Sequence, residues 1–200
     1  MNLPNKLTIS RVVMAVLIII ILLGGDYTAS LFGFEIPKLF VNEEMVVDLK
    51  YIIAGFLFII ASLTDFLDGY IARKYNLITK LGKILDPMAD KLLQFSALVG
   101  LWVMNIIPFW ITLIFFLKEV FMGLGALKLL KNKDVVVPSK WFGKLSTVFF
   151  FIAIIFSMLS ATFTNLTPYV LPMFILALIS LFFAFTMYLV NFIKVTKKDK

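Results

Sequence analysis

A chain of 200 residues that is 62% hydrophobic, with 22 phenylalanines and a mean hydropathy of +1.02, is far more apolar than a soluble domain, where about 45–50% is usual. It has no cysteine, which excludes disulfides and thiolate metal sites, and no histidine, which removes the commonest general base and the commonest zinc ligand. Its formal charge of +7 suits membrane orientation and anionic lipid headgroups, so no nucleic-acid partner is expected. Any catalysis must rest on carboxylates, lysine, arginine, hydroxyls and a hard metal ion.

In chain order, residues 1–10, "MNLPNKLTIS", mix polar and apolar side chains and hold Pro4 as a helix starter. They are expected to form a short interfacial helix leading into a first span at 11–24. No small-residue cleavage site follows Arg11–Gly25, so this span is expected to be retained. Residues 25–50 form the longest segment outside the spans. Further spans are expected at 51–70, 84–105, 108–128, 145–162 and 170–193, before a polar tail, "KVTKKDK". No repeat, low-complexity tract or linker divides the chain, so residues 1–200 read as a single domain, an all-α integral membrane protein of six transmembrane helices.

The basic residues orient these spans. With both termini in the cytoplasm, the 25–50 loop and the turns at 105–108 and 163–169 fall outside and carry only Lys38 and Lys50. The other 17 of the 19 basic residues then lie on the cytoplasmic side or at its edge, as the positive-inside rule asks. The expected location is the cell membrane, multi-pass, with the turn between spans two and three facing the cytoplasm.

That turn belongs to "DFLDGYIARKYNLITKLGKILDPMAD", residues 65–90, which holds four of the twelve carboxylates. Asp65, Asp68, Gly69, Ala72 and Arg73 stand at helical spacing on one face, and Gly82, Asp86 and Asp90 do so on the next helix. Consecutive spans joined by a short turn pack antiparallel, so the two polar seams can meet and four carboxylates converge. Like charges that close hold on to protons unless a cation neutralises them. Oxygen-only ligation points to Mg²⁺ or Mn²⁺, with Ca²⁺ possible, and two such ions about 3.5–4 Å apart suit phosphoryl displacement. The plainer alternative is a set of interfacial ion pairs with Arg73, Lys74, Lys80, Lys83 and Lys91. Four acids in register with two seam glycines favour the metal.

The pattern D-x2-D-G-x2-A-R-x8-G-x3-D-x3-D, matched at every position by residues 65–90, resembles the signature of the CDP-alcohol phosphatidyltransferases. "NLPNKLTISR", with Pro4, Asn5, Thr8 and Arg11, is similar to the N-terminus of the bacterial phosphatidylglycerophosphate synthases within that family. The resemblance implies transfer of a phosphatidyl group from CDP-diacylglycerol to an acceptor hydroxyl, with CMP leaving. It implies Asp65, Asp68 and Asp86 as main metal ligands, and Asp90 as general base that also touches a metal. It assigns Gly69, Ala72, Arg73 and Gly82 to CDP-diacylglycerol, with Asn5 and Thr8 at the nucleotide end. A homodimer is implied as well.

For glycerol 3-phosphate as acceptor, a second anion pocket is needed beside the metals. Its candidate residues are Lys118, which with Glu119 interrupts an apolar span, and Lys140 and Lys144 before span five. An intrahelical or snorkelling pair is the plainer account of Lys118 and Glu119. Two positions depart from the synthase pattern. Arg-Glu is usual where Lys118-Glu119 stands, and G-K-x-K-T is usual where Gly143-Lys144-Leu145-Ser146-Thr147 stands. Lysine binds phosphate as a point charge and lacks the arginine fork, so phosphatidylglycerol (giving cardiolipin), serine and inositol phosphate stay open as acceptors. An aromatic prenyltransferase would need a second aspartate-rich motif. A cation transporter would place its acids nearer the bilayer midplane.

Overall fold

The structure, a computed structural model, describes residues 3–31, 33, 38–40, 46–74, 82–133 and 141–197. Side chains of 3–6, 38–47, 65–74, 82–84, 126–133 and a few single positions lie outside the description. Six α-helices carry the fold: α1 (Leu3–Leu31), α2 (Leu49–Lys74), α3 (Gly82–Val103), α4 (Phe109–Lys133), α5 (Trp141–Thr162) and α6 (Thr167–Lys197). Each expected span overlaps one of them, although the third, 84–105, runs two residues past α3 and the fourth, 108–128, starts one residue before α4. The interfacial helix expected at 1–10 is not separate, because α1 runs unbroken through it. Pro4 lies in the first turn, where its missing N–H is tolerated, and no further proline or glycine occurs before Gly24.

Stretches long and apolar enough to cross a membrane are Leu7–Gly25, Gly143–Thr162 and Thr167–Asn191, and α2 holds a shorter apolar run, Leu49–Thr64. Three charges within six residues, Asp86, Asp90 and Lys91, interrupt the first half of α3. A small antiparallel hairpin, β1 (Lys38–Phe40) with β2 (Val46–Asp48), pairs Lys38 with Asp48 inside the 25–50 segment. It leads straight into α2, whose start Asp48 caps by accepting the Lys50 N–H at 3.1 Å. The same carboxylate forms an ion pair with the buried Lys50 ammonium at 3.1 Å.

Packing divides the chain into two compact units, Met1–Pro108 with Ile154–Thr167, and Phe109–Ala153 with Pro168–Lys200. In the first, α1 packs against both α2 and α3, whereas α2 and α3 touch each other less among the described residues. The buried seam of α1 is Thr8, Arg11, Ala15, Ile18 and Leu22, spaced alternately by three and four residues as a helix facing helices requires. On α3 the matching seam is Ala89, Leu93 and Ala97, followed by Gly100. Thr8 contacts Asp86 near the start of both helices, and Leu22 meets Gly100 fourteen residues further along each. The two helices therefore run parallel. A Cβ at Gly100 would lie 2.4 Å from Leu22 Cδ1 and 3.1 Å from Leu22 Cβ, so the absence of a side chain lets them approach this closely.

α3 ends in a left-handed cap. Asn105 has φ 58°, its N–H reaches the Trp102 carbonyl at 2.8 Å, and the Ile106 N–H reaches the Leu101 carbonyl at 2.9 Å. These are the paired bonds of a Schellman turn, with asparagine in the place glycine usually takes, and Pro108 follows. The second unit is built differently, around aromatic rings. Phe150 packs on Phe115 at 5.1 Å between centroids and meets Phe174 edge-on at 6.1 Å, with Ile111, Ala177 and Leu181 buried in the same unit.

Candidate active site

The site is assembled from helix starts. Asp86 and Asp90 are one turn apart on α3, on the same face and half-buried. Thr8, 1% exposed, donates its hydroxyl to Asp86 Oδ1 at 2.5 Å, a bond across 78 residues of sequence. One turn along the same α1 face lies Arg11, the largest of the fully buried side chains, with none of its surface exposed. Asp90 keeps about a fifth of its side-chain surface, and its Oδ2 lies 3.9 Å from the Lys91 ammonium, the limit of an ion pair.

One turn beyond Asp90 is Gln94, 1% exposed, with neither amide nitrogen nor amide oxygen hydrogen-bonded among the described residues. Sequence reasoning passed over Gln94 and gave Arg11 no role in the site. The signal was present in both cases, a long polar side chain at or within an apolar run, "SRVVMAVLIII" and "KLLQFSALVGLW". Neither run says which helix lies opposite.

Among the expected site residues, the structure brings together Thr8 and Asp86, with Asp90 beside Asp86. Asp65, Asp68, Gly69, Ala72 and Arg73 stand on the last three turns of α2, and Gly82 opens α3. The side chains of these residues and of Asn5 lie outside the description, as does Lys140 entirely. No group of three or more carboxylates comes together among the described residues. The donor chemistry nonetheless fits a hard divalent cation. Asp86 and Asp90 offer only oxygen, on one helix face, and a protein hydroxyl fixes one of the two carboxylates.

Lys118 and Lys144 belong to the second unit. Lys118 is tied to its own neighbour, its ammonium 2.5 Å from Glu119 Oε1, both side chains being less than 20% exposed. Lys144 is exposed at the start of α5. Just beyond it, the Ser146 and Thr147 hydroxyls donate to the Gly143 carbonyl at 2.9 and 3.1 Å, closing the first turn of the helix.

Fold and site thus define a helical protein of membrane-spanning character that carries acidic oxygen donors at one end of a helix seam. The chain belongs to the CDP-alcohol phosphatidyltransferase family, whose model matches residues 1–186. It is 38% identical over 146 residues to the CDP-diacylglycerol–glycerol-3-phosphate 3-phosphatidyltransferase of Bacillus subtilis, covering 73% of this chain and 70% of that one. It is 33% identical over 148 residues to a probable phosphatidylglycerophosphate synthase of Mycobacterium tuberculosis, covering 73% of this chain and 60% of the relative. A CDP-diacylglycerol–glycerol-3-phosphate 3-phosphatidyltransferase of Mycoplasma genitalium is 29% identical over 156 residues, covering 78% and 64%. The chain spans between 60% and 70% of the length of these three relatives.

Proposed function

We propose that this phosphatidyltransferase joins the phosphatidyl group of CDP-diacylglycerol to glycerol 3-phosphate, giving phosphatidylglycerophosphate and CMP. The observation that carries the reading is Asp86 and Asp90 on one α3 face, with Asp86 held by Thr8, inside a family match that includes the whole acidic segment. The names of two of the three relatives, those of Bacillus subtilis and Mycoplasma genitalium, supply the donor and the acceptor. Six spans with both termini in the cytoplasm belong to the same proposal, and parallel α1 and α3 are what strict alternation requires. A cell-membrane location with the site at the cytoplasmic face follows from the lysine and arginine distribution. A homodimer rests on the family resemblance alone.

Asp65, Asp68 and Asp86 would hold Mg²⁺ or Mn²⁺, with Asp90 touching it, and bound divalent ions would supply charge neutralisation on the diphosphate. The protein's own part is positional and acid–base. Arg73 pairs with phosphate, and Gly69, Ala72 and Gly82 leave room for the nucleotide. Asp90 accepts the proton of the acceptor hydroxyl as its oxygen forms a bond to the β-phosphorus. The bond from that phosphorus to the bridging oxygen breaks, and CMP departs with the electron pair. A carboxylate serves as base because the chain has no histidine, and a polarised hydroxyl needs less basicity.

A different acceptor is the second reading. It is favoured by the Lys118–Glu119 pair and by hydroxyls at 146 and 147 that bond to Gly143, since both weaken the expected phosphate pocket. The test is CMP release by purified protein with CDP-diacylglycerol, Mg²⁺ and a panel of alcohols. Turnover with glycerol 3-phosphate supports the first reading. Turnover only with phosphatidylglycerol, serine or inositol phosphate moves the chain to the second, and pyrophosphate in place of CMP would remove both.

A further inference from the structure

Thr8 was expected at the nucleotide end of the site, but its surroundings assign it different work. The residue is 1% exposed, which leaves almost no surface for a ligand to touch. A threonine hydroxyl has a single proton, and here that proton is directed to Asp86 Oδ1. With Oδ1 held by the Thr8 hydroxyl, Oδ2 is the oxygen through which Asp86 would bind a cation.

We infer that Thr8 is a positioning residue for a metal ligand. Its hydroxyl fixes the Asp86 carboxylate in one orientation, so that Oδ2 is presented to the divalent cation. The inference rests on the phosphatidyltransferase reading and on the metal that reading requires. It also gives the α1–α3 seam a purpose beyond packing. Leu22 against Gly100 and Thr8 against Asp86 sit at the same offset along the two parallel helices, so one register sets both contacts. A shift of α1 along α3 would release the carboxylate.

Three variants and two readouts test this. Mn²⁺ affinity of the purified full chain is measured without substrate by electron paramagnetic resonance, and KM for CDP-diacylglycerol is measured at saturating Mn²⁺. Thr8→Val keeps the shape and removes the hydroxyl, Thr8→Ser keeps the hydroxyl, and Asp86→Asn removes the charge it serves. Thr8→Val should weaken Mn²⁺ binding by about tenfold or more, within the ~10–100-fold seen when a hydrogen bond to a metal ligand is lost. Thr8→Ser should stay within about threefold of wild type, and KM for the lipid should not move; in the Asp86→Asn background, Thr8→Val should add nothing.

Wild-type Mn²⁺ affinity in Thr8→Val overturns the inference and leaves the proposed function standing. So does a raised lipid KM at unchanged metal affinity, which returns Thr8 to the substrate. If Thr8→Val does not fold, a loss of Mn²⁺ affinity of about tenfold or more in Thr8→Ser, which retains the donor, overturns it instead. A wild-type protein that binds no Mn²⁺ removes the metal reading itself and this inference with it.

Discussion

Polar groups buried in the second unit and those along the α1–α3 seam of the first find their partners differently, although the first unit also holds a local pair, Asp48 with Lys50. In the second, charge is settled locally: Lys118 pairs with the adjacent Glu119, the Ser146 and Thr147 hydroxyls close their own helix turn, and the core around them is phenylalanine. In the first, polar side chains are stacked along a seam between helices far apart in sequence. Thr8 reaches Asp86, Arg11 is wholly enclosed, and Gln94 is enclosed with no hydrogen bond among the described residues. A local pair needs no ligand to be stable. A seam of enclosed charges and an unsatisfied amide is costly unless something else uses it, and such groups within apolar helices usually mark function.

The comparison breaks if removing seam polarity leaves activity intact. Asp90→Asn should lower the rate of CMP release by about 10²–10⁴-fold, the usual contribution of a positioned base, without lowering the melting temperature. On the other side, Phe150→Ala should destabilise the second unit by about 3–5 kcal/mol, as loss of a core aromatic does, while the KM of the fraction that folds stays near wild type. Lys118→Ala sharpens the contrast. If its pairing with Glu119 loosens to admit the acceptor's phosphate, KM for the acceptor should rise about tenfold, one charged hydrogen bond of about 1.5 kcal/mol, with little change for the lipid. Equal effects on both substrates, or none, would make it a local pair only. The smallest effect is expected from Gln94→Leu. Replacing a buried amide whose hydrogen bonds are unmade should stabilise the fold in detergent by up to the ~1–3 kcal/mol such a group costs, read as a higher melting temperature.

Much of this was legible beforehand, because membrane helices announce themselves by long apolar runs and the acids by their spacing on a helix face. The six expected spans each overlapped a helix, three of them on stretches long and apolar enough to cross a membrane, and Asp86 and Asp90 fell on one face of α3. Other features were not legible, each for a physical reason. The hairpin strands have three residues each, too few for an alternating pattern to stand out. The continuity of α1 turns on a proline that starts a helix as readily as it ends one. The expected meeting of α2 with α3 omitted α1, which packs against both, because spacing within a segment reports which residues share a face but not which helix lies opposite. For the same reason the contact of Thr8 with Asp86 was not legible.

The most direct measurement of the central claim is Mn²⁺ binding to wild type, Asp65→Asn and Asp86→Asn, compared at equal protein concentration in one detergent. If acids from α2 and α3 share their ions, either substitution should weaken binding by at least about tenfold, and neither should unfold the protein. Binding that survives the loss of Asp65 while depending on Asp86 would mean the two helices do not form one site.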